Sequence, residues 1–154
     1  MRITRLLFLA LIAFFPLIAH AQRERLPAED LEIVEKTWPN AKKSSTSLRT
    51  VILKEGTGDT AKPGQFVDVL YTGKLLNGKV FDEAHDPAHP FSFRLGRGFV
   101  IEGWDEGLQQ MRKGEKAILI VPYELGYGSR GDPPKIPRRA TLVFEIELLN
   151  IRNE

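Results

Sequence analysis

From Leu48 onward the chain is a succession of short apolar–polar alternations cut by glycine and proline, and one stretch departs from that rhythm. Val67, Val69 and Tyr71 alternate with Phe66, Asp68 and Leu70. Phe91, Phe93 and Leu95 repeat the pattern. Leu142, Phe144, Ile146 and Leu148 alternate with Val143, Glu145, Glu147 and Leu149. A period of two puts one set of side chains on one face of a strand. Arg49–Lys54 and Glu115–Val121 add two more strand-like runs, the second closed by Pro122. Asn77-Gly78, between Tyr71–Leu76 and Lys79–Asp82, is a hairpin turn, because both residues tolerate positive φ. Lys62-Pro63-Gly64 reads as a tight turn, and Gly56-Thr57-Gly58-Asp59 as the stop of the first strand.

The exception is Val100–Met111. There Ile101, Trp104, Leu108 and Met111 recur at steps of three and four, which is one face of a short helix. Glu102, Asp105 and Glu106 lie near its start, where carboxylates suit the helix dipole. Arg112-Lys113-Gly114 supplies basic residues and a glycine for its end. A sheet with one apolar face and a helix with one apolar stripe can bury each other. The pattern predicts an α+β fold: an antiparallel sheet of five or six strands curled around one short helix.

The N-terminal residues follow a different logic. Met1–Arg5 carries two positive charges, Leu6–Ile18 is an unbroken apolar run, and Ala19-His20-Ala21 places small residues where signal peptidase reads them. The run is shorter than the roughly 20 residues of a spanning helix. Residues 1–21 are expected to be a signal peptide, 22–47 a charged leader, and 48–154 the folded domain. In the leader Leu31, Val34 and Trp38 share helical spacing behind Glu29 and Asp30. A helix this short is marginal alone. It either docks on the domain through those three residues or stays frayed.

Charge and cysteine content narrow the function. The chain has 22 basic and 20 acidic residues, and loss of Arg2 and Arg5 with the signal brings the balance to zero. A neutral domain has no general attraction to nucleic acid or anionic lipid, so neither nucleic acid nor, after signal cleavage, membrane is an expected partner. The chain has no cysteine, which excludes disulfides, thiol nucleophiles and thiolate metal sites. His85 and His89 have the spacing of a helical metal pair, but Pro87 and Pro90 argue against a helix there. No metal and no cofactor are expected. The remaining candidates are Tyr71, Phe81, Phe91, Val100, Ile101, Trp104, Tyr127 and Phe144. They are either all core or they converge on an apolar pocket with a few polar handles.

Several segments together resemble a known family. Val69-Leu70-Tyr71-Thr72-Gly73, Asn77–Asp82, Pro90–Gly96, Val100–Leu108, Pro122–Gly128, Pro133–Pro137 and Ala140–Leu149 are similar, in order and spacing, to the FKBP-type prolyl isomerases, the macrolide-binding immunophilins. The similarity spans Leu48 to Arg152 and is greatest toward small secretory-pathway members. It implies the half-barrel fold described above. It implies a pocket with Trp104 as floor and Tyr71, Phe91 and Phe144 as walls, lined further by Phe81, Val100, Ile101 and Ile136. Asp82, Tyr127 and the backbone N–H of Ile101 are the polar groups it implies, as the catalytic set. Many members follow the Ile-Pro step with a second proline; here Arg138-Arg139 follow Pro137. That leaves open which residues the substrate carries beside its proline.

The implied activity is cis-trans isomerisation of Xaa-Pro bonds in folding proteins, with proline-containing polypeptides as clients and macrolides as inhibitors. The alternative is a chaperone or binding module of the same fold with little catalysis, whose signature is a depleted pocket lining. A dimeric form with a long helical arm needs more chain than Gln22–Ser45 provides, so a monomer is expected. The signal and the C-terminal Ile151-Arg152-Asn153-Glu154, which is no retention tetrapeptide, imply an exported protein. A bacterial periplasm is expected first, and otherwise secretion or a secretory lumen.

Overall fold

The computed structural model describes residues 23–153, so the expected signal peptide lies outside them. In chain order the elements are α1 (Ala28–Thr37), β1 (Lys42–Lys43), β2 (Arg49–Lys54), β3 (Thr57–Thr60), β4 (Phe66–Leu75), β5 (Val80–Ala84), β6 (Phe91–Arg94), α2 (Glu102–Leu108), β7 (Arg112–Lys113), β8 (Lys116–Val121), a 3₁₀ turn at Tyr123–Leu125, and β9 (Leu142–Arg152). The long C-terminal alternation forms β9, which lies between β8 and β4. The sheet runs β1-β2-β8-β9-β4-β5, with β6 also paired to β4, and every pairing is antiparallel. The expected five or six strands thus gain a two-residue edge strand, β1. Asn77-Gly78 turns β4 into β5, with Gly78 at φ 86 and Lys74 opposite Val80.

Alternation decides which residues meet. Val67, Val69 and Tyr71 of β4, Ala117, Leu119 and Val121 of β8, and Leu142, Phe144, Ile146 and Leu148 of β9 share one buried cluster with Trp104 and Leu108 of α2. α2 approaches β8 closely because Gly103 and Gly107, four residues apart on one helix face, carry no side chain. A Cβ at either would lie 2.6 Å from Val121 Cγ1 or Leu119 Cδ1, respectively.

β8 is buried on both faces. Its other set, Ile118 and Ile120, packs with Val143 against α1 through Val34, Leu26, Leu31 and Trp38. That is why Ala117–Val121 reads as a continuous apolar run rather than an alternation. The N-terminal helix is therefore docked, on the convex face, and the sheet carries a second helix beyond the one expected inside it.

Two local expectations are corrected. α2 ends at Leu108, not Met111. The bonds Gln110 N to Gly107 O and Met111 N to Leu108 O, both 3.1 Å, tighten the chain into three-residue turns. Arg112-Lys113 then leaves the helix path and pairs as β7 with β3, and Gly114 (φ 80) turns the chain into β8. That partner strand, Thr57–Thr60, overlaps Gly56-Thr57-Gly58-Asp59, which the sequence reads as a stop.

Residues 23–26 are tied to β2 by one carboxylate. Glu24 accepts bonds from Arg49 Nη1 at 3.1 Å and Nη2 at 2.8 Å, from Lys43 Nζ at 2.9 Å, and from the Leu26 N–H at 2.9 Å. The Arg49 hydrogen bond is the main cause that holds the Glu24 carboxyl well below the usual range. A lowered folded pKa gives stability that is complete above the unfolded value and is lost as pH falls through the folded one. Arg49 is buried while Glu24 is partly in water, so the pair is worth less than a fully buried one. We predict that Glu24→Gln lowers unfolding free energy by about 1–2 kcal/mol at neutral pH. In urea titrations the gap to wild type stays constant above about pH 5 and narrows below it. A gap independent of pH down to about 3 contradicts this assignment.

Candidate active site

The concave face of the sheet opens at one end of α2, where its first turn meets the ends of β4, β5, β6 and β9. Tyr71 points to that face from β4 and is 8% exposed, Trp104 from α2 is 4% exposed, and Phe144 from β9 is 3% exposed. Register brings their neighbours alongside. Gly73 of β4 stands opposite both Asp82 of β5 and Phe144 of β9, and Val69 stands opposite Phe91 of β6.

The rings form one edge-to-face cluster around the indole. Trp104 lies 4.8 Å from Tyr71 at 85°, 5.2 Å from Phe144 at 83°, and 6.1 Å from Phe91 at 75°. Phe81 and Phe144 meet at 5.5 Å and 89°. Such edge contacts place positive ring edges on negative faces and fix ring orientation. The cluster leaves a cavity of about 160 Å³ lined by Tyr71, Phe81, Asp82, Phe91, Phe99, Val100, Ile101, Trp104, Tyr127 and Phe144.

Nine of the ten candidate residues read from the sequence thus surround one cavity. The tenth, Ile136, is not in its lining. It is 2% exposed and buried in the core cluster beneath the loop that follows Tyr127. Phe99 is the lining residue the sequence reading omitted. It is 71% exposed, a single aromatic outside any periodic run; its neighbour Gly98 was the available signal of a projecting loop tip.

Several polar features point into or hold this cavity. Tyr71 Oη donates to Asp82 Oδ2 at 2.7 Å, and the Glu83 N–H donates to Asp82 Oδ1 at 3.0 Å. Burial first, and then the bond to Asp82, push the Tyr71 phenol well above its usual pKa. Burial, then the charges of Asp132 and Asp82, raise Tyr127 as well. Both phenols therefore remain hydrogen-bond donors at any physiological pH. The Trp104 indole N–H is buried with no hydrogen-bond partner among the described residues. The loop bearing Phe99, Val100 and Ile101 is held by Asp105, whose carboxylate accepts the Gly96 N–H at 2.7 Å and the Gly98 N–H at 3.0 Å. Ile101 precedes α2, and its carbonyl accepts the Trp104 and Asp105 N–H groups.

A larger hollow, of about 510 Å³, lies between the β1–β2 hairpin and the far end of α2. Lys42, Lys43, Glu55, Gln110 and Glu115 are among its lining, which contains no aromatic ring. Its size exceeds that of the aromatic cavity, but its lining mixes charged and aliphatic side chains and offers no aromatic face for a proline ring, so the chemistry favours the smaller one.

The sequence model of one family, described as FKBP-type peptidyl-prolyl cis-trans isomerase, matches residues 58–149. The chain belongs to this family. FK506-binding protein 1A of Aspergillus fumigatus is 51% identical over 96 residues, covering 62% of this chain and 86% of the fungal protein. Peptidyl-prolyl cis-trans isomerase FKBP2 of Mus musculus is 55% identical over 91 residues, covering 59% of this chain and 65% of the mouse protein. The solved structure of FkpA from Escherichia coli superposes with a TM-score of 0.73 at 42% identity, covering 81% of this chain and 58% of FkpA. That of AtFKBP13 gives 0.68 at 38%, covering 72% and 98%. The fold is the FKBP fold and the chain is an FKBP-type isomerase.

The FKBP pocket depends on one missing side chain. A Cβ at Gly73 would lie 2.8 Å from Phe81 Cζ and 2.9 Å from Phe144 Cε1, so glycine is what lets those two rings close. We predict that Gly73→Ala forces the walls apart and destabilises the fold by about 1–3 kcal/mol. At temperatures where it stays folded, kcat/KM on a Leu-Pro peptide falls about ten-fold. An unchanged rate contradicts the tight-wall account.

Proposed function

We propose that this FKBP-type isomerase accelerates rotation about Xaa-Pro bonds in folding proteins of an exported compartment, by desolvating and orienting the twisted amide over Trp104. The observation that carries this reading is the aromatic cavity itself: a buried indole floor, rings on its sides, and one ionisable carboxylate already engaged by Tyr71.

Amide resonance sets a barrier of about 20 kcal/mol, and unaided isomerisation takes tens of seconds. No bond is made or broken, so the protein needs only to favour the twisted amide over the planar one. Planarity gives the carbonyl a large dipole that water stabilises; twisting localises the nitrogen lone pair and weakens that dipole. In an apolar site the planar state loses more solvation than the twisted state. The proline ring lies on Trp104, and Phe81 and Phe144 exclude water at its side. The Tyr127 O–H and the Ile101 N–H hold carbonyls of the bound chain in a turn. Asp82 orients Tyr71, a role supported by their 2.7 Å bond. An acceleration of 10⁴- to 10⁵-fold corresponds to about 6–7 kcal/mol, within reach of desolvation and orientation together.

The export segment at residues 1–21 supports a bacterial envelope as the working compartment, with the mature domain acting as a monomer on proline-containing clients. A macrolide that fills the aromatic cavity competes with them.

The test is cis-to-trans conversion of a Leu-Pro peptide by the purified protein. We predict fast catalysis, inhibition by a macrolide, and a rate constant flat from pH 6 to about pH 9, because both raised phenols stay protonated there. Trp104→Leu lowers kcat/KM by at least about ten-fold while the protein stays folded. Macrolide binding without catalysis overturns the enzymatic reading in favour of a binding module, and a folded protein with neither overturns the assignment of the pocket.

A further inference from the structure

The hollow between the β1–β2 hairpin and the far end of α2 takes no part in the isomerase reading, yet its lining is graded in charge. Lys42 stands opposite Thr50 at one end. Val51, Ile52 and Met111 supply aliphatic wall. At the other end Lys54 pairs with Lys116, and the next residues outward, Glu55 and Glu115, both line the hollow. Gly56 permits that convergence. A Cβ there would lie 2.8 Å from Arg112 Cβ and from the Arg112 and Lys113 carbonyl oxygens, so glycine lets the end of β2 rest on that backbone beside Glu115.

The two carboxylates have no cation. Glu115 is 3% exposed; its Oε2 accepts the Arg112 N–H at 3.1 Å, and its Oε1 has no donor among the described residues. Neither Glu55 nor Glu115 forms an ion pair among the described residues. The nearby cations are occupied or distant. The Arg112 guanidinium donates to the Gly58 carbonyl. Lys43 Nζ is on Glu24 at 2.9 Å and Lys116 Nζ on Glu145 at 2.6 Å. Lys54 and Lys113 are exposed and outside the lining. Lys42 is separated from Glu55 by roughly 16 Å of strand, more than a Debye length. Burial, opposed by the Arg112 N–H and reinforced by the charge of Glu55, raises the Glu115 carboxyl above its ordinary pKa. A cation arriving from outside relieves both the burial and the repulsion.

We propose that this hollow seats the Lys or Arg side chain of a client polypeptide, with the ammonium or guanidinium on Glu115 and Glu55 and the aliphatic stem along Val51, Ile52 and Met111. It rests on the isomerase reading for its clients and gives them a second foothold, whose binding needs no proline. A long basic side chain suits such a site, because its methylenes cover apolar surface while its head keeps hydrogen-bond partners. A charge-assisted bond to a desolvated carboxylate is stronger than the same bond in water. The cation therefore favours a basic over an isosteric apolar side chain by about five-fold or more at low salt, and less at high salt.

The test titrates the isotope-labelled full chain, followed by amide NMR, with the peptide acetyl-Ala-Leu-Ala-Lys-Ala-Leu-Ala-amide, with its analogue carrying norleucine in place of lysine, and with the free diamine cadaverine. The lysine peptide is expected to bind about five-fold tighter than the norleucine peptide, or more, at low salt. Its shifts are expected at the amides of Ile52, Gln110 and Glu115, with the Trp104 indole N–H unmoved. Glu55→Gln with Glu115→Gln is expected to abolish the preference; glutamine at 115 keeps an acceptor for the Arg112 N–H. Should that double variant unfold, Glu55→Lys, a change at an exposed side chain, is expected to reverse the preference. Equal affinity for the two peptides overturns the proposal, as does a lysine preference that survives these variants or shifts the aromatic cavity instead. Cadaverine binding tighter than the lysine peptide also overturns it, by assigning the hollow to a free diamine. The probes contain no proline, so this outcome is read apart from turnover of a Leu-Pro peptide, on which the isomerase reading stands or falls.

Discussion

The close seat of α2 against β8 organises the rest of the molecule. Gly103 and Gly107 remove the two side chains that would hold the helix off Val121 and Leu119. With the backbone that near, Trp104 sinks into the concave face and its ring becomes the centre of the aromatic cluster. The same placement puts Ile101, the residue before the helix, at the mouth of the cavity. It also lets Asp105, one turn along, hold the Gly96–Gly98 turn that carries the rest of that wall. One packing contact thus sets the indole at the bottom of the cavity and the loop that forms one of its walls.

The sheet is braced from the other side. β8 is the strand that α2 presses upon, and α1 covers its reverse face through Val34 on Ile120 and Val143. The N-terminal segment is pinned further by Glu24 on Arg49 and by the 2.6 Å bond from Thr141 Oγ1 to Asp30 Oδ2. Thr141 directly precedes β9, the strand that carries Phe144. Residues that precede the family match therefore stiffen the strands on which the pocket walls stand, without touching the pocket.

What the sequence made legible was local or periodic. The Asn77-Gly78 hairpin is readable because two adjacent residues define the turn, and β9 because its alternation runs for most of the strand. The helix was readable in existence but not in length, since the apolar spacing continues to Met111 through tight three-residue turns that bury Met111 beyond the end of the α-helix. β3 and β7 were invisible: Thr57–Thr60 has no apolar pattern, and Arg112-Lys113 is two residues long. The site shows the same divide. Aromatic type marked the candidates, but their convergence depends on long-range register, such as Gly73 opposite both Asp82 and Phe144, and was supplied by family resemblance rather than by spacing. Phe99 escaped because an exposed aromatic in a glycine-flanked loop has no periodic signature, and Ile136, buried in the core cluster, is not among the residues that line the cavity.

The most direct test of the central claim is the crystal structure of the protein with a Leu-Pro peptide bound. The account predicts the pyrrolidine ring stacked on the Trp104 indole, the preceding amide out of contact with water, and the Ile101 N–H and Tyr127 O–H each on a peptide carbonyl. A peptide whose proline sits in the larger hollow between the β1–β2 hairpin and α2, or over Trp104 with its amide fully hydrated, would contradict it.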